Sequence, residues 1–244
     1  MLKVAIYGRN LPDLRRILGN YPVQVVRQRP DLVISYGGDG AFLGAERDCP
    51  GVPKLPLRDR RCNPKCPQHA EEQVIEELLA GRLNETTLMK LRAVARRQKF
   101  LAVNDVVIHN QVMTSAVRYR ISLDDELYAN RVVGDGLVAA TPFGSTGYYR
   151  SITRSLFKLG IGLAFNNSTE PTDHLVIAED TTIRVEILRG PAVVGTDNAA
   201  ERILLKLGDV VTISKSREVA RVLGIEAFRC PACARLRQAN PDAV

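Results

Sequence analysis

The chain has 244 residues, and 34 Lys and Arg against 27 Asp and Glu leave a formal charge of +7. That length allows one large domain or two modest ones, and no apolar run approaches the roughly 20 residues that cross a bilayer. The positive balance favours anionic partners such as nucleotides and phosphorylated metabolites, while scattered basic residues and sparse aromatics argue against nucleic acid. Residues 1–10 lack the apolar core of a signal peptide, so a cytoplasmic location is expected.

In chain order, residues 2–7 read as a strand ending at Gly8, and 12–18 as a short helix with Pro12 in its first turn. Strands follow at 23–26 and 32–35. The latter runs into Tyr36-Gly37-Gly38-Asp39-Gly40, and a helix is expected over 41–47. This strand–helix rhythm is that of an open α/β sheet, whose ligands sit at the carboxyl ends of strands. Residues 49–67, dense in Pro, Arg and Cys, read as a loop or clip. Residues 70–80 form an amphipathic helix with Val74, Ile75, Leu78 and Leu79 on its apolar face. From 87 the pattern changes to short β signals at 88–95, 100–109, 116–123 and 126–133. A Gly-rich segment at 134–147 and a short helix over 151–158 interrupt them. Strands resume at 174–177, 182–189, 192–196, 203–207 and 210–214, and a strand-like tail at 220–228 is expected to return to the first sheet. The expected fold is an α/β N-terminal domain with the GGDG turn (residues 1–90, rejoined by 217–235) plus an all-β, sandwich-like domain (91–216).

Three segments carry candidate chemistry. In GGDG, three glycines permit positive φ and close approach of a ligand, so exposed backbone N–H groups can cradle phosphate. Asp39 is then a base or a metal partner; the local alternative is a helix cap. Residues 134–151, GDGLVAATPFGSTGYYRS, combine turn glycines with Thr141, Ser145, Thr146, Tyr148, Ser151 and Asp135, a set suited to ribose or phosphate, or simply a hairpin. Asn104 and Asp105 place a polar pair inside a β signal, where such groups need a partner or mark a bulge.

Together and in this order, GGDG, the Asn-Asp pair before Val-Val-Ile, and GDGL followed by TPFGSTGY resemble the NAD kinase family. The resemblance covers residues 1–228 in outline. It implies a two-domain enzyme that moves the γ-phosphoryl of ATP, or a phosphoryl of polyphosphate, to the adenosine 2′-hydroxyl of NAD, with Mg²⁺ or another divalent cation. It implies Asp39 as the catalytic carboxylate and Gly37, Gly38 and Gly40 as the phosphate-facing turn. It implies NAD contacts from Asn104, Asp105, Asp135, Thr146, Tyr148, Ser151, Asn167 and Asp197, and assembly as a homodimer or homotetramer. A nucleotide-binding regulator without turnover, or a related GGDG kinase with another nucleoside acceptor, are the alternatives. The pattern departs from the family at Ala41, where Thr is usual, at residues 56–62 and at residues 152–155, which lack the usual glycines. Arg58, Arg60 and Arg61 are expected either to clamp polyphosphate or to form a solvated basic loop.

Cysteines occur in two close pairs, Cys62 with Cys66 and Cys230 with Cys233, a spacing suited to structural zinc. Convergence of the four on one ion is one expectation, with His69 as a substitute ligand; free thiols or a redox-labile pair is the other. His109 and His174 are expected to be structural.

Overall fold

The computed structural model describes residues 1–61, 64–169 and 173–239, so Cys62 lies outside the described residues. The chain forms two compact units, Met1–Leu88 with Ala220–Val244, and Met89–Val219. Unit 1 begins with β1 (Leu2–Gly8), α1 (Leu11–Leu18), β2 (Val23–Val25), β3 (Leu32–Tyr36), α2 (Asp39–Asp48), β4 (Lys54–Leu57) and α3 (Glu71–Leu79). β5 (Glu85–Ala95) leads into unit 2. There follow β6 (Gln98–Ala102), β7 (Asp105–Asn110), β8 (Val117–Leu123), β9 (Glu126–Gly134), β10 (Gly136–Ala140), α4 (Tyr148–Thr153), β11 (Ile161–Asn166) and β12 (His174–Ile177). Unit 2 continues with β13 (Ile183–Arg189), β14 (Ala192–Thr196) and β15 (Ile203–Leu205). β16 (Val210–Leu223) returns the chain to unit 1, which ends in α5 (Ile225–Phe228) and α6 (Pro231–Ala239).

In unit 1 the strands run parallel in the order β2-β1-β3-β4, and Val222 of β16 pairs with Lys54. All five residues of β3 are buried, as expected of a parallel strand with neighbours on both edges and packing on both faces. Leu14, Ile17 and Leu18 of α1 and Val74 and Ile75 of α3 close over Val4, Ile34 and Leu55. The tract 49–67 is not wholly irregular: it contains β4. Pro56 and the leading Lys54 hide that strand in the sequence. Yet Lys54 is fully buried, ion-paired with Glu46 of α2 and donating to the carbonyls of Cys49 and Val52.

In unit 2 six antiparallel strands run β12-β11-β10-β7-β14-β15. A second antiparallel set pairs β16 with β13, β13 with β8 and β8 with β9. Alternating residues of both sets meet in one core that includes Val106, Ile108, Tyr119, Ile121, Leu137, Leu163, Val185 and Ile213. The β signal over 100–109 is broken at Asn104 into β6 and β7, and the Gly-rich segment contains β10. β10 and β11 are buried almost throughout, so neither shows the alternation that marks a half-exposed strand. At Gly136 φ is +152°, and a Cβ would collide with the Ile108 carbonyl of the neighbouring strand. The expected helix over 151–158 starts earlier, as α4. Within the tail 220–228, β16 ends at Leu223 and α5 is helical.

Candidate functional site

In unit 1, β3 delivers the chain to Gly37, whose φ of +143° belongs to glycine. The Gly37 N–H donates to the Leu57 carbonyl (2.8 Å), fixing the turn to the end of β4. α2 starts at Asp39 with Gly38 as its N-cap, so Asp39 stands in the first turn of the helix rather than at the cap position itself. Asp39 is instead gripped by two guanidinium groups. Arg58 Nη2 lies 2.9 Å from Oδ1 and Arg229 Nη2 lies 3.1 Å from Oδ2. Arg58 also stacks on the buried Phe228 ring, with its guanidinium carbon 4.0 Å from the centroid. Burial pulls the Arg58 and Arg229 pKa values down, and the Asp39 charge opposes that in both.

The expected trio of loop arginines does not act together. Arg60 is tied to Glu71 (3.3 Å) and Glu72 (2.6 Å), and Arg61 to Asp13 (2.5 Å). Buried Glu71 also accepts from Tyr36 Oη (3.0 Å) and pairs with Lys65 (3.1 Å). Only Arg58 of the three reaches Asp39. Its companion, Arg229, was not foreseen from the sequence; the one local signal was its place beside Cys230.

Near this carboxylate clamp, unit 1 gathers four soft donors. Cys66, His69, Cys230 and Cys233 place their ligand atoms within 4.8 Å of one another, and can hold a metal ion. Of the four cysteines expected to converge, three do; His69 takes the fourth place among the described residues.

In unit 2 the Asn-Asp pair sits where β6 breaks from β7. Backbone N–H groups of Val103, Asn104 and Asp105 all donate to the Asp197 carboxylate, at 2.9, 2.8 and 3.1 Å. Asp197 thus shapes the turn that presents Asn104. The segment after β10 is stitched to the same turn. Thr141 N donates to the Asn104 carbonyl (2.8 Å), Thr141 Oγ1 to the Val103 carbonyl (2.6 Å), and Gly144 N to Thr141 Oγ1 (3.0 Å). A Cβ at Gly144 would collide with the Asn104 carbonyl. Asn104 Oδ1 is buried with no hydrogen-bond partner. Beside it Asp105, only 6% exposed, is pushed up to about 7, first by burial and then by the Asp197 charge.

Asp135, between β9 and β10, accepts from Asn110 Nδ2 (3.2 Å) and Asn167 Nδ2 (2.7 Å). Tyr148 Oη accepts from Asn166 Nδ2 (3.1 Å), and Asn166 Nδ2 also lies 3.3 Å from His109 Nε2. Burial raises the Tyr148 pKa, and the charges of Asp135 and Asp105 add to it. Ser151 Oγ donates to the Tyr148 carbonyl (2.7 Å). Two open clefts flank this set, one lined in part by Tyr148, Ser151, Asn166 and Asn167, the other by Thr146, Gly147, Arg150, Ser151 and Arg154. Asn166 and Asn110 join the polar network without having stood out in the sequence, because each is an ordinary strand residue until its neighbours are known, and His109, expected to be structural, lies beside Asn166 in the same network.

Residues 103–224 match the ATP-NAD kinase C-terminal domain family. The NAD kinase of Methylibium petroleiphilum is 28% identical over 211 residues, 79% of this chain and 69% of that protein. The NAD kinase of Burkholderia thailandensis is 28% identical over 232 residues, 86% of this chain and 76% of that one. Among solved structures, an Archaeoglobus fulgidus NAD kinase in complex with ATP superposes with a TM-score of 0.76 at 18% identity, covering 93% of this chain and 96% of that one. Yeast NADH kinase complexed with NADH gives 0.77 at 17%, covering 95% and 87%. The two-unit α/β and antiparallel β architecture is the fold these enzymes share, and the chain belongs to the NAD kinase family.

Proposed function

We propose that the protein is an NAD kinase that transfers the γ-phosphoryl group of ATP to the 2′-hydroxyl of the adenosine ribose of NAD. Family membership supports the reaction, and one observation in the site supports the acceptor most directly. Asn104 Oδ1 is a buried acceptor without a donor, next to a buried carboxyl. Such an acceptor is costly unless a ligand hydroxyl meets it, and a ribose diol supplies two. Asp105 takes the second hydroxyl. Thr146, Tyr148 and Ser151 bound the adenosine side, and Asp135 with Asn167 the far side of the dinucleotide. Asp197 acts through the turn it holds.

The chemistry belongs to unit 1. Asp39 accepts the proton of the 2′-hydroxyl, the oxygen forms the bond to the γ-phosphorus, and the bond to the β-bridging oxygen breaks to release ADP. Gly37, Gly38 and Gly40 leave the backbone open to the phosphates. Arg58 and Arg229 neutralise the carboxylate that would otherwise repel an incoming polyphosphate. The family implies a divalent cation. The donors fit a hard ion, since Asp39 is a carboxylate beside a phosphate-facing turn and such an ion takes most of its ligands from phosphate and water. Mg²⁺ would supply neutralisation of the transferring group. Polyphosphate is a second donor on the same reading, and the chain works as a homodimer or homotetramer, which light scattering reads.

The test is NADP formation by purified protein with Mg²⁺, NAD and either ATP or polyphosphate. Donor-dependent NADP is expected, with Asp39→Asn lowering kcat about 10²–10⁴-fold while the variant stays folded by circular dichroism. An Asp39→Asn variant with wild-type turnover would remove Asp39 from the chemistry. NAD binding without NADP from any donor would replace the kinase by a nucleotide-binding regulator.

A further inference from the structure

Cys66 and His69 stand three residues apart across a single 3₁₀ turn, Pro67–His69. Cys230 and Cys233 stand three apart across the start of α6. Each spacing brings two donors to one side of a tight turn, the arrangement of structural zinc sites. Cys233 Sγ lies 3.5 Å from Cys66 Sγ and 3.3 Å from His69 Nδ1. A disulfide would need about 2.05 Å between sulfurs. A tetrahedron with Zn–S of about 2.3 Å and Zn–N of about 2.0–2.1 Å sets sulfurs about 3.8 Å apart and sulfur and nitrogen about 3.5 Å apart. Both observed separations fall within about 0.3 Å of the tetrahedron, and all four ligand atoms lie within 4.8 Å of one another. The Cys66 N–H, moreover, points at Cys233 Sγ at 3.3 Å, the kind of contact that supports a thiolate ligand.

The helix that carries Cys233 needs such an anchor. α6 has nine residues and buries only Cys233 among them. A helix that short is marginal in water without tertiary packing, and one buried thiol is a poor substitute for an apolar face.

The same cluster adjoins both arginines on Asp39. Arg229 is bonded to Cys230 in sequence. Lys65, next to Cys66, donates its Nζ to the Arg58 carbonyl at 2.5 Å. Phe228, next to Arg229, carries the Arg58 guanidinium on its ring. Each ligand pair is therefore linked to one of the two arginines through the residue beside it.

We propose that Cys66, His69, Cys230 and Cys233 bind one zinc ion, and that this ion holds Arg58 and Arg229 in place on Asp39. The metal arm stands on its own; the kinetic arm rests on the reading of Asp39 as the catalytic carboxylate. The four residues are then a structural clip whose effect on catalysis is one of positioning.

The experiment measures zinc by elemental analysis in full-length protein purified with reductant and without chelator, and records the visible spectrum after cobalt replaces the zinc. One zinc per chain and the intense bands of tetrahedral thiolate-bound Co²⁺ are expected. Cys233→Ser loses the metal, exposes α6 to limited proteolysis and lowers kcat about 10–100-fold, while the affinity for NAD is unchanged. Cys62→Ser keeps the zinc. If Cys233→Ser does not fold, stripping zinc from the wild-type chain with a chelator and adding it back makes the same comparison, with loss and recovery of both kcat and protease protection expected. A chain that forms NADP at full rate and resists proteolysis without zinc overturns the clip and leaves the kinase standing. Zinc lost from Cys62→Ser and kept in His69→Asn overturns the ligand set. Zinc bound as expected with no NADP from any donor overturns the kinase reading alone.

Discussion

Replacing Asp105 by asparagine should make the folded protein less sensitive to rising pH. Asp105 is 6% exposed and faces the carboxylate of Asp197, so its carboxyl is held at about 7 rather than 3.8. Well below pH 3.8 the group is neutral in folded and unfolded chains alike, and burial carries no penalty. As the pH rises the unfolded chain ionises first and binds fewer protons than the folded one, so stability falls. The fall is complete once the pH passes the folded value of about 7. The whole displacement corresponds to roughly 4 kcal/mol, of which about 3 kcal/mol lies between pH 5 and 8.5. Asparagine keeps the shape and does not ionise. For a chain of this size 1 kcal/mol moves the melting temperature about 2–4 °C, so the variant's melting temperature should gain about 6–12 °C on the wild type across that range. Scanning calorimetry of both proteins at pH 5, 6, 7 and 8.5 reads the difference directly. Melting curves that shift in parallel would show that Asp105 ionises as freely as an exposed carboxylate, and would refute the argument from burial. On the proposed function the same variant should also bind NAD more weakly, because the carboxylate assigned there to a ribose hydroxyl is replaced by an amide.

Two further substitutions test how the sites are built. Gly144→Ala drives a Cβ into the Asn104 carbonyl; a loss of about 1–3 kcal/mol is expected, along with weaker NAD binding, read by denaturant unfolding and by titration calorimetry, and an unperturbed variant would mean that the turn yields freely. Lys54→Met removes the buried cation that pairs with Glu46 and should cost about 3–5 kcal/mol, most of it recovered when Glu46→Leu is added; a double variant no more stable than the single one would argue against the pair.

Much of the fold could be read locally. An apolar run ending in three glycines and a carboxylate announces a strand, a turn and a helix, and the structure has all three in β3, Gly37–Gly38 and α2. The alternation in 116–123 and 182–189 likewise marks β8 and β13, each packed on one face. β4, β10 and β11 were hidden because a strand buried on both faces loses its alternation, and in β4 because a buried lysine reads as a surface residue until its partner Glu46 is known.

The candidate sites divide on the same principle. The sequence alone determined the chemistry on offer: a carboxylate in a glycine turn, an Asn-Asp pair in a β segment, and close pairs of thiols. Residue type and short spacing are local properties, and they carry that far. Tertiary structure decided which of these groups meet. It set Arg229 rather than Arg60 or Arg61 beside Arg58 on Asp39. It turned Asp197 onto the backbone of residues 103–105 and brought His69 to Cys66, Cys230 and Cys233. Such meetings depend on the path of the chain between distant segments, and that path is fixed by burial of the whole core rather than by any stretch of residues within it.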